Sequence, residues 1–197
     1  REAVEEAHRL GIVVSLDVNL RLNLWPDEMT ECKDECEGKA AIILSRLQAL
    51  WPRVTLVKLS RDELAYLATA ANLHPDAFVE ELLVVGVYCV VITDGAEPVV
   101  CSTGEGTFQI TPPSVKAVDT TAAGDAFVGG LLWQLSCNKT SNDVKRLLLD
   151  EAYMTSCLSF ASLCGAATVQ QKGAFSALPD RHALATEIPC VGVRQPK

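Results

Sequence analysis

The sequence predicts an α/β domain in which helices alternate with short strands around a mostly parallel sheet. Three observations lead there. IVVSLDV, VTLVKL and VYCVVITDG are short apolar runs that read as buried strands. The segments between them carry apolar residues at helical spacing. Gly11, Pro52 and Gly95 punctuate the runs where a chain turns or a helix stops.

Taken in order, residues 2–10 place Val4, Ala7 and Leu10 on one helical face, and Gly11 stops the helix. IVVSLDV is the first strand, ending near Asp17, and a loop, NLRLNLWPDEMT, follows. Residues 28–50 read as one long helix, charged first and apolar later, closed by Pro52. VTLVKL is the second strand and SRDELAYLATA a short helix. HPDAFVEELLVVG is another helix, with Pro75 in the first turn where its missing N–H is harmless. VYCVVITDG is the third strand. PVVCST and GTFQIT read as a hairpin across Gly104 and Gly106. A helix runs from Asp125 through FVGGLLWQL, and Ser141–Asn142 caps a longer one to about Cys164. GAATVQQKGA is read as a strand or loop and the tail as irregular.

The 197 residues suffice for one compact domain with a sizeable core. A net charge of −8 argues against a nucleic-acid surface, which needs clustered Lys and Arg to replace counterions. No apolar run approaches the roughly eighteen residues that a membrane span requires. The eight cysteines follow no disulfide spacing, and several sit in apolar stretches as small hydrophobes. A reducing, cytoplasmic location is expected. Cys32 and Cys36 are one helical turn apart, but with only three histidines and no CxxC they make a poor metal site. The opening REAVEEAHRLG reads as the middle of a helix, so a piece of a longer chain is expected.

In parallel sheets ligands bind beyond the carboxyl ends of the strands. That directs attention to Asp17, Asn19 and Arg21, to Ser60 and Glu63, to Thr93, Asp94 and Gly95, and to residues 119–125. The last stretch, DTTAAGDAF, sets small residues before a buried-looking aspartate at a helix start. Such a start offers free N–H groups and a partial positive charge to an anion. Ala123, Gly124 and Asp125 would present successive donors, and Asp125 could accept a hydroxyl proton. That suits phosphoryl transfer, which asks for positioning and charge stabilisation. A plain helix N-terminus explains the turn equally well, because aspartate is favoured there by the dipole alone.

VDTTAAGDAFVGG resembles the D-T-x-G-A-G-D signature of the ribokinase-like (PfkB-type) carbohydrate kinases. SLDVNLRLNLW is similar to the D-x-N-x-R-x-x-L-W stretch of fructokinases, and VKLSRDELAYL to their V-S-x-x-E segment. VVITDG falls where the family has T-x-G, and ASLCGAATVQQKGAFSALP resembles its terminal A-N-x-C-G-A…K-G-A…A-L-P segment. The likeness spans nearly the whole chain in the family's order.

The resemblance implies a ribokinase-like three-layer α/β/α fold lacking the lid and leading portion, with residues 1–197 as the C-terminal nucleotide-binding and catalytic part. It implies Asp125 as catalytic base, Arg21 on the transferred phosphoryl group, and Ala122, Ala123 and Gly124 in an anion hole. Thr93, Gly95 and Ser162 fall at nucleotide-binding positions, although Ser162 stands where the family commonly has asparagine. Glu63 would hold Mg²⁺ through water, and it is also the far end of a Ser60–Glu63 capping box. Asp119 and Thr121 match positions whose backbone oxygens bind a monovalent cation, usually K⁺. Ala122 departs from the family's glycine, which costs roughly 1 kcal/mol if φ is positive there. The implied partners are ATP and a sugar, with homodimerisation through the lid in the full-length protein. The implied activity is phosphorylation of a sugar hydroxyl, fructose first. Aminoimidazole riboside, 2-keto-3-deoxygluconate and ribose kinases are rivals, as is a non-catalytic binding or assembly module on the same fold.

Overall fold

The computed structural model describes residues 2–25, 38–137, 140–180 and 184. Five strands form one sheet in the order β1-β2-β3-β4-β5: Ser15–Asp17, Leu56–Ser60, Cys89–Asp94, Glu97–Thr103 and Gly106–Ile110. β1 and β2 pair in parallel, as do β2 and β3, with Asp17 beside Lys58 and Ser60 beside Thr93. The expected α/β class and hairpin strands are therefore present, with β1 shorter than the apolar run that encodes it.

The chain divides into two compact units, residues 1–94 with 100–107 and residues 95–99 with 108–197. In the first, α1 (Glu2–Arg9), α2 (Lys39–Gln48), α3 (Arg61–Ala70) and α4 (Pro75–Val84) accompany the parallel strands. Its core gathers Ile43, Leu59, Leu67, Phe78, Leu82 and Val90, all nearly inaccessible to solvent. Burying each such side chain contributes ~1.5–3 kcal/mol before entropy is counted. The helix expected over 28–50 is described only as α2, because residues 26–37 lie outside the described set. The same is true of Cys32 and Cys36. Pro52 does not close α2 itself; it enters a separate 3₁₀ turn, Trp51–Arg53, that leads into β2.

The second unit contains α5 (Ala123–Ser136), α6 (Ser141–Leu148) and α7 (Glu151–Thr168). Three features differ from the elements expected from the sequence. α5 begins two residues before Asp125. The helix expected from Ser141 to Cys164 is two helices, each with its own cap: Thr140 Oγ1 accepts from the Asp143 N–H, and Asp150 Oδ1 accepts from the Tyr153 N–H. α7 also runs on through Gly165 to Thr168, so the start of GAATVQQKGA is helical. Propensity disfavours glycine within a helix, but packing decides here. A Cβ at Gly130 would meet Cys164 Sγ at 2.7 Å, and one at Gly165 would meet the Ala123 carbonyl at 3.3 Å. Both glycines let α5 and α7 approach closely. Trp133 stacks near Phe160 beside Ala126, Leu163 and Cys164, with ring centres 5.2 Å apart.

Candidate active site

In the first unit the parallel register brings the ends of β1, β2 and β3 side by side. Lys58 Nζ lies 3.2 Å from Asp17 Oδ1, with side chains only 10% and 19% exposed. An ammonium in a buried strand demands such a partner. Sequence reasoning passed over Lys58; the signal was a lone lysine inside the apolar run VTLVKL. Asp17, left open between orienting its neighbours and touching ligand, is engaged by this lysine. One residue beyond β2, Arg61 Nε donates to Asp94 Oδ2 at 2.9 Å, and that contact ties the start of α3 to the end of β3. Thr93 is half-buried at that strand end, and Gly95 is exposed with φ +55°.

The loop after β1 carries Arg21, which is solvent-exposed. Asn19 and Arg21 both have φ +42°, a left-handed conformation that non-glycine residues adopt at a cost. Leu20 between them is buried. Its N–H donates to Glu63 Oε1 at 2.7 Å, and its carbonyl accepts the Trp25 indole N–H at 2.8 Å. Upstream, the Val18 N–H donates to the Lys58 carbonyl. Trp25 is itself fixed by Lys39, which donates to its carbonyl at 3.0 Å, and by the Arg46 guanidinium over its ring.

Glu63 forms the expected capping box. Ser60 Oγ accepts from the Glu63 N–H, and Glu63 Oε2 accepts from the Ser60 N–H at 2.7 Å. Both carboxylate oxygens therefore hold backbone amides. Each retains a lone pair, so the group can still receive a hydrogen bond from metal-bound water. No three His, Cys, Asp or Glu side chains cluster as a metal cage among the described residues. That donor set fits Mg²⁺, which keeps most of its waters and takes few protein ligands.

In the second unit, Ala122 is the N-cap of α5 with φ +63° and ψ +7°. The turn thus uses the left-handed conformation for which glycine is suited, and alanine bears the strain. Asp125 stands in the first turn and is exposed, not buried as the surrounding small residues suggested. The Ala123 N–H is turned toward the Thr120 carbonyl at 3.3 Å, so it is not a free donor. No described residue accepts from the N–H groups of Gly124 and Asp125. Nor does any described residue accept from the Ala122 N–H just before the helix, so these three amides stand open at this helix start.

The strap before the turn is tied down. The Val118 and Asp119 N–H groups donate to the Val169 carbonyl. The Asp119 carboxylate accepts the Gly173 N–H at 3.0 Å and the Thr121 N–H at 2.9 Å. These bonds, Gly173 first, then Thr121, with Lys172 nearby, lower its pKa to about 2. No described residue donates to the carbonyl oxygens of Asp119 and Thr121, which fits a weakly held monovalent cation. Ser162 lies in α7, only 4% exposed, with no described partner for its hydroxyl. That burial is at odds with a direct contact to a nucleotide. No described helix is long and apolar enough to cross a membrane. The five described cysteines are free thiols.

The model of the pfkB family carbohydrate kinase matches residues 20–181. Aminoimidazole riboside kinase of Salmonella typhimurium is 37% identical over 185 residues, 91% of this chain and 50% of its own length. Fructokinase from Xylella fastidiosa, solved with bound ATP, superposes with a TM-score of 0.83 at 31% identity, over 94% of this chain and 54% of that one. A double-mutant fructokinase from Vibrio cholerae O395, solved with fructose, ADP and potassium ion, gives 0.74 at 27% identity, over 94% and 53%. The chain spans about half the length of the curated relatives it matches, plant fructokinases among them.

Proposed function

The chain belongs to the pfkB family of carbohydrate kinases and has its ribokinase-like α/β fold, and from that premise we propose that it is the nucleotide-binding and catalytic part of an ATP-dependent sugar kinase, with fructose as the first candidate sugar. One observation carries the reading. An exposed carboxylate, Asp125, stands beside two unbonded N–H groups in the first turn of α5. Together they supply a proton acceptor and an anion cradle at one helix start.

Each residue has a defined task. Asp125 accepts the proton of the sugar hydroxyl as that oxygen attacks phosphorus. The N–H groups of Gly124 and Asp125 hold the oxygens of the transferred group, while Ala122 sets the angle of the turn. Arg21 places a guanidinium on phosphate oxygens, a task for which its planar fork is suited. Thr93 and Gly95 lie against the nucleotide phosphates. Glu63 would hold Mg²⁺ through one of its waters, and the Asp119 and Thr121 carbonyls would hold K⁺. When bound, Mg²⁺ neutralises phosphate charge. We place the complete protein, as a homodimer, in the cytoplasm.

The 37% identity to aminoimidazole riboside kinase favours a second sugar, the riboside. The experiment is a panel of fructose, ribose, aminoimidazole riboside and 2-keto-3-deoxygluconate with ATP and Mg²⁺, run on the complete protein and on Asp125→Asn. Turnover on one sugar, lowered by ~10²–10⁴-fold in Asp125→Asn, supports the reading. A complete protein that turns over none of them points instead to a binding or assembly module.

A further inference from the structure

We propose that Glu63 is the positioning residue for Arg21: its carboxylate locks the Arg21 loop into a strained conformation through the Leu20 amide. The inference rests on the kinase reading for what Arg21 does, but its structural half stands independently.

Two left-handed non-glycine residues separated by one position are an uncommon arrangement, costlier at Arg21 than at Asn19, and persist where the surroundings over-determine them. Here the residue between them is held at three points. The Leu20 side chain is 7% exposed in the core of the first unit. Its N–H is on Glu63 Oε1 at 2.7 Å and its carbonyl on the Trp25 indole at 2.8 Å. The peptide groups on either side of Leu20 are thus held, and Asn19 and Arg21 that flank them both sit at φ +42°. That leaves the Arg21 side chain exposed at the carboxyl end of β1.

Of the two anchors on the Leu20 backbone, Glu63 is the charged one, and a charge-assisted bond is about twice as strong as a neutral one. Its position is fixed in turn by the capping box, because Oε2 receives the Ser60 N–H at 2.7 Å. One carboxylate therefore measures the distance between the start of α3 and the Arg21 loop. Removing it frees Leu20 and lets Asn19 and Arg21 relax to ordinary φ, which turns the guanidinium away from its working direction. A cap alone would need neither the Leu20 bond nor the strained pair.

The test separates holding a loop from capping a helix. Amide exchange is followed by NMR in the wild-type chain, Glu63→Ala, Glu63→Gln and Ser60→Ala. Glu63→Ala should speed Leu20 exchange by about tenfold or more, the equivalent of one charge-assisted bond, with Glu63→Gln intermediate. Ser60→Ala removes the cap acceptor and should speed the first turn of α3 while leaving Leu20 protected. If Leu20 is unchanged in Glu63→Ala, or if it follows the α3 amides in Ser60→Ala, the inference is overturned. In the complete protein, Glu63→Ala should lower kcat by a smaller factor in the Arg21→Ala background than in wild type, because the part of its effect that runs through Arg21 is already lost. Effects that multiply in full, or complete rescue of Glu63→Ala by raised Mg²⁺, would show that Glu63 acts through the metal alone and does not position Arg21. A protein that turns over no sugar defeats the kinase reading alone, and the exchange result then decides the positioning.

Discussion

Asp119 Oδ2 accepts the Gly173 N–H at 3.0 Å, so one carboxylate ties the strap before α5 to the loop after α7. Its other oxygen holds the Thr121 N–H. The same side chain therefore braces the turn that carries Ala122 and Asp125.

A pH dependence follows from that clamp. The Asp119 pKa is about 2 in the folded protein, below the ordinary 3.8. A depressed carboxylate stabilises the fold above its unfolded pKa, and the contribution disappears as pH falls through the folded value. The melting temperature of Asp119→Asn should lie below wild type at pH 6. The gap should narrow as pH drops from about 4 toward about 2. A gap that is constant across that range would show that the carboxylate charge is not what the Gly173 and Thr121 amides hold.

Ala122 at φ +63° carries strain that glycine would not. Ala122→Gly should stabilise the protein by ~0.5–1 kcal/mol, because relief of the left-handed Cβ clash outweighs the extra freedom glycine gives the unfolded chain. Calorimetry reads this as a raised melting temperature, and a lowered one would contradict the turn's geometry. Catalysis should persist with the native alanine. A complete protein that is inert until Ala122→Gly revives it would show the opposite.

The α5–α7 seam should rank two glycines. Gly130→Ala drives a methyl to 2.7 Å from Cys164 Sγ and 3.2 Å from the Ala161 Cα, whereas Gly165→Ala comes no closer than 3.3 Å to the Ala123 carbonyl and 3.8 Å to Phe127 Cβ. Overpacking of the first kind costs ~1–3 kcal/mol, and the second should cost less. Cys164→Ala should recover part of the Gly130→Ala loss, because it removes the sulfur that the new methyl meets. Denaturant titration of the two single variants and the double variant measures this, and equal losses at Gly130 and Gly165 would refute the ranking.

Lys58 and Asp17 form a pair in which either partner alone is a liability. Lys58→Met takes the ammonium away from a largely buried carboxylate and should destabilise by about 3 kcal/mol. Combining Lys58→Met with Asp17→Leu should recover most of that stability, since apolar replacement of a buried ion pair is often neutral. A double variant as unstable as Lys58→Met would mean that the pair holds more than itself.

The sequence alone determined the alternation of strands and helices, because hydrophobic period and Gly–Pro punctuation are local properties. The Ser60–Glu63 cap was legible for the same reason: a capping box is written within four consecutive residues. So was the start of a helix close to Asp125, through the order of small residues and acid. What only the tertiary structure decided depends on partners distant in the chain. Nothing local in SRDELAYL announces that Glu63 reaches the Leu20 amide, and nothing in DTTAAGD announces that Asp119 reaches Gly173. The helix break at Asp150 and the passage of α7 through Gly165 likewise went unread, since a cap and a close interhelical approach outweigh the local pattern. Local physics sets which elements form. Where a side chain's second hydrogen bond ends is set by which elements the fold brings beside it, and here those bonds fix the loop that carries Arg21 and the turn that leads into the helix of Asp125.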